Sequence, residues 1–199
     1  MTATSHPSRV ANIFTIFLLP FLGLILVPGV LLLVFPDVHV GWGLALPLAL
    51  LPVLFGLASI GLGTTLIGRT VSLFIGVGMG TPAPWRPPTR LIVEGIYRRV
   101  RNPMISGVLF VLLGQAVLLG AWPLFAWFEL FLLANVIYMP LSEERGLKRR
   151  FGDEYERYCH NVPAWIPRLT PWTPPPDAAS EEATGRSPDG RESTARRKP

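Results

Sequence analysis

Four apolar runs dominate the sequence and restrict the chain to a membrane fold. They cover Ala11–Phe35, about Trp42–Ile67, Met104–Gly120 and Ala121–Leu141. A transmembrane helix needs about 20 consecutive apolar residues, and the chain as a whole is 50% hydrophobic, 16% charged and has a mean hydropathy of +0.42. We therefore predict an all-α polytopic membrane protein with about four transmembrane helices, the last two a helical hairpin, followed by a cytoplasmic C-terminal amphipathic helix.

Changes in composition divide the chain into three regions. Residues 1–80 are expected to form an N-terminal pair of transmembrane helices, the first of which is too long for the apolar core of a signal peptide. Four prolines in Thr81–Thr89 forbid a helix there and predict a stiff connector. Residues 81–170 then carry the connector, the hairpin and the charged helix. Residues 171–199 lack periodicity and are expected to form a disordered tail.

Positive charge predicts the orientation in the membrane. The loop at 36–41 carries Asp37 and no Lys or Arg, whereas the loop at 81–103 carries five arginines and basic residues also follow the last apolar run. Four crossings with both termini and the polar motifs on the cytoplasmic side satisfy every loop. A net charge of +5 could suggest nucleic acid. Because the basic residues flank apolar segments, we expect the lipid bilayer as partner and no nucleic acid.

Cysteine and histidine usage excludes some site classes. The chain has one cysteine and three scattered histidines, so we predict neither an intramolecular disulfide nor a metal site. Cys159, His160 and Asn161 have the residue types of a cysteine-protease triad, but adjacent residues on a helix point to different faces, and we expect no catalytic role. Phe151, Tyr155 and Tyr158 share one helix face, which predicts packing or membrane-surface docking; the alternative is a lid contact with a cofactor.

Counting from a hairpin turn near Trp122 pairs residues of the two flanking helices. Arg101 and Glu143 each lie 21 residues from the turn, so they are expected at the same depth. Gln115 and Glu129 each lie seven residues from it, inside the membrane. A Gln115–Glu129 hydrogen bond or a wet Glu129 near the far surface would account for this costly carboxylate, and a functional role is the alternative.

A polar cluster is therefore expected where the hairpin meets water. It contains a phenol, cations, an amide and carboxylates, namely Tyr97, Arg98, Arg99, Arg101, Asn102, Glu143 and Glu144. Gly95 permits a tight turn, and Pro103 is suited to the first turn of the next helix. A zwitterionic ligand would find both counter-charges in this cluster. The alternative is that the arginines determine topology and the glutamates neutralise them.

Ordered motifs in this region resemble a known family. They are Gly95-x-Tyr97, Arg101-Asn-Pro-Met-Ile105, Glu143-Glu-Arg-Gly-Leu147, Phe151-Gly-x-x-Tyr155-x-x-Tyr158 and Val162-Pro-x-x-Ile-Pro167. In this order and spacing they resemble the isoprenylcysteine carboxyl methyltransferase family and its phospholipid methyltransferase relatives. The resemblance covers about residues 80–168, whereas the first two apolar runs match only in being apolar.

The resemblance implies an integral membrane enzyme that uses S-adenosylmethionine to methylate a lipophilic or small acceptor through its carboxylate, amine or thiol. It implies a cytosolic cofactor pocket closed by the C-terminal segment and a tunnel for a lipophilic substrate. Carried over by position, the cofactor-binding residues are Thr89, Arg90, Leu91, Ile92, Tyr97, Asn102, Pro103, Met104, Ile105, Glu143 and Glu144. Those expected to take part most directly in catalysis are Arg101, Asn102 and Glu143.

On this resemblance, Glu143 is expected to pair with the cofactor ammonium, and Asn102 with Arg101 to hold its carboxylate. Leu91, Ile92 and Met104 would offer an apolar surface to the adenine.

Three positions depart from the family pattern. Asn102 replaces histidine and keeps hydrogen-bonding capacity without titrating near neutral pH. Ile105 replaces tyrosine, and Met139 stands where the prenylcysteine enzymes carry an arginine, which argues against a prenylcysteine carboxylate as the acceptor. The alternatives are a membrane reductase with a nicotinamide cofactor on a related fold and a non-catalytic membrane scaffold.

Overall fold

The computed structural model describes residues 22–76, 91 and 93–174, with only the backbone described for residues 74–76, 142 and 143. Within these residues the chain forms five α-helices and no strand, which confirms the predicted all-α class. The helices are α1 (Val27–Val34), α2 (Leu50–Gly76), α3 (Pro103–Leu119), α4 (Trp122–Tyr138) and α5 (Glu144–Asn161). Two π-helical turns, Leu22–Leu26 and Met139–Glu143, precede α1 and α5, and 3-10 turns cover Val40–Gly43 and Gly95–Arg98.

Two of the helical segments have the length and composition of a membrane span. They are Leu50–Leu73 and Trp122–Leu141, while Leu22–Val34 and Pro103–Leu119 are shorter apolar helices. Large apolar side chains point outward from them; on α4, for example, Leu133 is 58% exposed. An exterior this apolar suits contact with lipid rather than water.

The second helix begins later than the sequence predicts. It starts at Leu50 instead of about Trp42, and it continues to Gly76. Gly41 and Trp42 both have positive φ angles, which interrupts a helix. The Trp42 indole N–H donates to the Val117 carbonyl at 3.0 Å, so this turn packs against the far end of α3. Hydropathy detects neither the positive φ angles nor the Trp42 hydrogen bond, because Gly41 and Trp42 are both compatible with an apolar run.

Glycines bring α2 and α3 into close contact. A Cβ atom added at Gly63 would lie 2.5 Å from the Gly107 carbonyl oxygen, and one added at Gly114 would lie 2.6 Å from the Gly56 carbonyl oxygen. Small residues at a helix interface are the usual means by which membrane helices approach closely. The Ser59 hydroxyl adds a hydrogen bond to the Phe110 carbonyl across the same interface, at 2.9 Å.

The hairpin predicted from residues 104–141 is confirmed. Gly120 ends α3 in the left-handed conformation with φ 58°, and its N–H donates to the Ala116 carbonyl at 3.0 Å. Pro123 lies in the first turn of α4, where its missing N–H costs nothing. The chain therefore reverses at Gly120 and Ala121, just before the predicted position.

The predicted hydrogen bond between Gln115 and Glu129 is wrong. The Gln115 side chain donates instead to the backbone carbonyl of Leu24 at 3.0 Å, and the Trp127 indole donates to the Gly23 carbonyl at 3.0 Å. Both bonds join the π-helical turn before α1 to the hairpin. Glu129 is exposed on α4.

Candidate active site

The two polar segments at the ends of the hairpin meet through an ion pair. The Nη1 atom of Arg101, just before α3, lies 2.8 Å from Oε1 of Glu144, the first residue of α5. The predicted meeting of these segments is therefore confirmed. The described partner of Arg101 is Glu144; the side chain of Glu143, the residue predicted at the same level, lies outside the described part of the chain.

Arg101 is a largely enclosed cation at this junction. Its side chain is 15% exposed, and Nη1 also donates to the Cys159 sulfur at 2.7 Å. Burial on its own lowers the pKa of Arg101, but Cys159 and Glu144 more than offset it, so the pKa lies above its ordinary value and the guanidinium stays charged. Its Nε atom is buried and has no hydrogen-bond partner among the described residues.

A C-terminal strap, Val162–Thr173, is hydrogen-bonded to the segment that precedes α3. The N–H groups of Arg101 and Asn102 donate to the carbonyls of Pro163 and Ala164, at 2.9 and 3.2 Å. In the reverse direction, the N–H groups of Arg168 and Trp172 donate to the carbonyls of Arg99 and Arg98, at 2.9 and 2.8 Å. The strap thus holds the segment from Arg98 to Asn102 in one conformation.

Arg98 and Arg99 secure the strap through their side chains. Arg98 donates to the Trp172 carbonyl at 2.6 Å and to the Thr173 hydroxyl. Arg99 donates to the carbonyls of Arg168 and Leu169. From the sequence, Arg98 and Arg99 were interpreted as ligand-binding cations or as topology determinants neutralised by glutamates. Among the described residues their acceptors are backbone carbonyls and one hydroxyl.

Aromatic residues of α5 pack against the strap and the segment that precedes α3. Tyr155, Tyr158 and Val162 are buried together, and Leu91 and Trp172 pack against them. The Tyr158 hydroxyl donates to the Tyr97 carbonyl at 2.7 Å. Burial raises the pKa of Tyr158, and burial followed by Cys159 raises that of Tyr155, so both phenols are neutral near pH 7. The packing predicted for Phe151, Tyr155 and Tyr158 is confirmed, although Gly152, with φ 47° and ψ −126°, interrupts the helix between Phe151 and the two tyrosines.

The start of α3 presents the other predicted site residues. Asn102 occupies the N-cap position, but its side chain makes no hydrogen bond to the first turn. Pro103 is buried, while Met104 and Ile105 are half-buried. Gly95 opens the preceding 3-10 turn with φ 55°, as its predicted role in a tight turn requires. The amide of Asn102 thus lies at the positive end of a helix.

The structure brings together most of the predicted site that it describes. Leu91, Tyr97, Arg101, Asn102 and Glu144 lie along the strap, α5 and the start of α3. Thr89, Arg90 and Ile92 lie outside the described residues.

Sequence reasoning missed Cys159 as a partner of Arg101. Its spacing from Tyr155, four residues along the same helix, was the available signal, because residues so spaced share a face.

The model of the phospholipid methyltransferase family matches residues 51–154. The chain belongs to this family. The match confirms the resemblance inferred from the motifs and extends it toward the N-terminus, since it begins within α2 rather than near residue 80. Together with the apolar helices, membership in the phospholipid methyltransferase family makes this a membrane protein.

One relative adds to this assignment. The chain is 38% identical over 79 residues to the protein-S-isoprenylcysteine O-methyltransferase of Schizosaccharomyces pombe (strain 972 / ATCC 24843). That stretch is 40% of this chain and 34% of the relative, so the chain covers about a third of the relative's length. No solved structure matches the chain.

Proposed function

We propose that the protein transfers a methyl group from S-adenosylmethionine to a lipophilic or small acceptor at the membrane. The observation that carries the proposal is the junction where Arg101 pairs with Glu144 beside the N-terminus of α3. Because the chain belongs to a methyltransferase family, this junction is a candidate binding site for the methyl donor. The acceptor atom would belong to a carboxylate, an amine or a thiol.

The residues present fit the polar end of this cofactor, which carries one carboxylate and one ammonium. A helix N-terminus favours an anion, and the Asn102 amide lies at that terminus without capping it. The buried Nε atom of Arg101 is a further donor with no partner among the described residues. We infer that Asn102 and Arg101 hold the carboxylate and that Glu143 pairs with the ammonium, with Glu144 keeping Arg101 in place.

Bound there, S-adenosylmethionine supplies an electrophilic methyl group on a sulfonium. The transfer is an in-line displacement, so the chain needs no covalent nucleophile. Its residues act by alignment, which contributes up to about 7–11 kcal/mol in favourable cases, and by exclusion of water. The strap contributes to both, because its hydrogen bonds fix Arg101 and Asn102 and cover their backbone. Leu91, Ile92 and Met104 would contact the adenine.

Met139 argues against a prenylcysteine carboxylate as the acceptor. It is 5% exposed and lies in the π-helical turn that leads into α5, at the position where the prenylcysteine enzymes carry an arginine. A thioether offers no counter-charge to a carboxylate. A lipid amine or another acceptor without a carboxylate suits this position better.

We further propose four crossings, with both termini and the junction on the cytoplasmic side, and α5 as an amphipathic helix at the membrane surface. The arginines before α3 and the basic residues of α5 support this orientation through the positive-inside rule. The short helix α3 would cross within the hairpin, where its glycines pack closely against α2.

Equilibrium binding of S-adenosylmethionine to purified protein in detergent tests the proposal. The unmodified protein should bind, and Glu143→Ala should weaken binding by about 2–5 kcal/mol, because it leaves the ammonium unpaired in a partly dry site. Glu156→Ala is the matched control, since Glu156 makes a surface ion pair with Lys148 on the same helix.

Absence of binding to folded protein would overturn the proposed function, and selective binding of a nicotinamide dinucleotide would point to the reductase alternative. Binding that Glu143→Ala leaves unchanged would remove only the assignment of Glu143.

A further inference from the structure

The C-terminal strap exposes two large apolar side chains. Leu169 is 92% exposed and Ile166 is 72% exposed, on either side of Arg168 in the sequence. Single exposed apolar residues are ordinary on protein surfaces. Here, however, the exposed pair belongs to a segment whose backbone is fixed by hydrogen bonds to Arg98, Arg99, Arg101 and Asn102. These side chains are therefore presented by an ordered structure.

Arginines accompany the two apolar side chains. Arg99 donates through Nη1 to the carbonyls of Arg168 and Leu169, and Arg168 donates through Nη1 to the Asn161 carbonyl at 2.6 Å. Carbonyl acceptors carry no formal charge, and no carboxylate among the described residues is paired with either guanidinium. A guanidinium also has five N–H donors in a planar fork that matches a phosphate group. The surface therefore combines apolar contact with two phosphate-binding cations.

The position of the strap in the fold puts this surface at the edge of the membrane. The Arg101–Glu144 ion pair shows that the start of α3 and the end of the span Trp122–Leu141 lie at the same end of the hairpin. Arg99 lies four residues before Pro103, where α3 begins. Phosphate headgroups lie at this level of a bilayer, with the acyl chains directly beneath them.

We propose that the strap surface, formed by Arg99, Ile166, Arg168 and Leu169, docks onto anionic phospholipids of the bilayer that the hairpin spans. The two guanidiniums bind headgroup phosphates, and Ile166 and Leu169 enter the boundary of the acyl chains. Charge complementarity selects anionic lipid as the occupant, because each basic residue near an anionic surface raises the binding constant for that surface by roughly fivefold. The surface is separate from the cofactor residues, and its lipid contact does not depend on the proposed methyl transfer.

Photocrosslinking from position 169 tests the proposal in the full-length protein. Leu169 is replaced by p-benzoylphenylalanine, and the protein is reconstituted in nanodiscs that contain phosphatidylcholine and a minor fraction of phosphatidylglycerol. Mass spectrometry then counts the lipid adducts. The same replacement at Leu133, which is exposed on α4, is the control for contact with bulk lipid. We expect phosphatidylglycerol adducts at 169 to exceed the control proportion by at least about fivefold, the factor for one basic residue, and by up to roughly 25-fold if both arginines act fully.

The enrichment should depend on charge. Arg168→Gln should lower it several-fold, whereas Arg99→Lys, which keeps the charge, should lower it less. Raising the salt concentration from 50 to 500 mM tests the unmodified protein and so avoids any loss of folding in a variant. The enrichment should fall because the screening length shortens to only a few ångströms.

Three outcomes would overturn the proposal. They are adducts at position 169 in the control proportion, an enrichment insensitive to salt and to Arg168→Gln, and crosslinks to residues 175–199 or to another protein in place of lipid.

Discussion

Arg101 is held between a carboxylate and a thiol, which is an unusual pair of acceptors for one guanidinium nitrogen. Glu144 lies 2.8 Å away and the Cys159 sulfur 2.7 Å away. Two residues of α5, fifteen positions apart, therefore converge on one side chain before α3, which a straight helix rising about 1.5 Å per residue could not achieve. Gly152 lies between them with a non-helical backbone, φ 47° and ψ −126°, and this kink lets both ends of α5 reach Arg101.

Removal of Glu144 should destabilise the protein. Glu144→Ala leaves Arg101 charged and largely enclosed, and we expect the free energy of unfolding to fall by about 1–3 kcal/mol. Denaturant unfolding in detergent measures the change. Glu156→Ala should have no measurable effect, because its partner Lys148 is exposed. Equal losses in the two variants would contradict the structural role assigned to the Arg101–Glu144 pair.

Tyr158 should make the protein sensitive to alkali. Burial raises its pKa above the ordinary value of 10.0, so the folded state retains the phenol proton that the unfolded state loses. The corresponding stability is complete below about pH 10 and declines as the pH rises above it. Thermal unfolding at pH 8–11 should therefore show a falling midpoint above pH 10.

Tyr158→Phe should make this decline shallower, leaving the part due to Tyr155, whose pKa is also raised. It should cost about 1 kcal/mol at pH 8, through loss of the hydrogen bond to the Tyr97 carbonyl. The exposed Tyr138 provides the control, since Tyr138→Phe should keep the decline of the parent protein. A decline that persists unchanged in Tyr158→Phe would show that other groups cause it.

At the scale of elements, the α2–α3 interface is a sterically constrained contact. Gly63 and Gly107 let the two backbones touch, since a Cβ atom at Gly63 would overlap the Gly107 carbonyl oxygen and approach Val111 Cγ2 to 2.8 Å. Neither helix can separate without losing the Ser59–Phe110 hydrogen bond. The pair therefore forms a rigid support for the start of α3, from which Asn102 and Met104 project.

Gly63→Ala should force α2 and α3 apart. The methyl group meets backbone rather than a flexible side chain, so we expect a loss of about 1–3 kcal/mol in unfolding free energy. Gly61→Ala, two residues earlier on the same helix, has open space around its Cβ position and should be neutral or slightly stabilising. Unfolding in detergent compares the two variants. A Gly63→Ala protein as stable as Gly61→Ala would refute the close contact.

Hydropathy predicted the helices well because a membrane imposes apolar runs, but it misplaced the start of α2. The positive φ angles of Gly41 and Trp42 depend on packing of Trp42 against α3 and α4, which no local pattern encodes. The prediction that Gln115 bonds to Glu129 was wrong for a similar reason. Its bond to the Leu24 carbonyl requires knowledge of how the first helix lies against the hairpin.

The meeting of the two polar segments was predicted by counting outward from the hairpin turn, which works because antiparallel helices rise equally per residue. The ion pair between Arg101 and Glu144 lies within one residue of the predicted level. The π-helical turn Met139–Glu143 winds more residues into a turn than an α-helix does, which a uniform count does not include. The use of Arg98 and Arg99 as strap anchors could not be predicted, because backbone carbonyls exist at every residue and carry no sequence signal.

At the scale of the whole molecule, the strap is the last described segment of the chain, and it binds back to the residues just before the hairpin. Its hydrogen bonds to Arg98, Arg99, Arg101 and Asn102 extend to Thr173, past the boundary predicted at residue 170. Trp172 packs against the tyrosines of α5 and belongs to this ordered region. Residues 175–199 lie outside the described residues.

This arrangement predicts where the chain can be shortened. A chain that ends after Pro174 should keep the affinity of the full-length protein for S-adenosylmethionine, since the contacts described for the strap lie within residues 162–173. A chain that ends after Asn161 should lose binding and part of its thermal stability. Isothermal titration and thermal unfolding of both proteins check this. Full binding by the shorter chain would show that the strap has no part in cofactor binding.

The sequence distance spanned by the strap has a consequence for biosynthesis. Arg99 and Arg168 are 69 residues apart, and translation proceeds at about 5–20 residues per second. Arg99 is therefore made roughly 3–14 s before Arg168. Until residues 162–173 have been made, a ribosome-bound chain lacks the backbone partners of Arg98, Arg99, Arg101 and Asn102, so the polar junction is completed only after both helices of the hairpin have been synthesised.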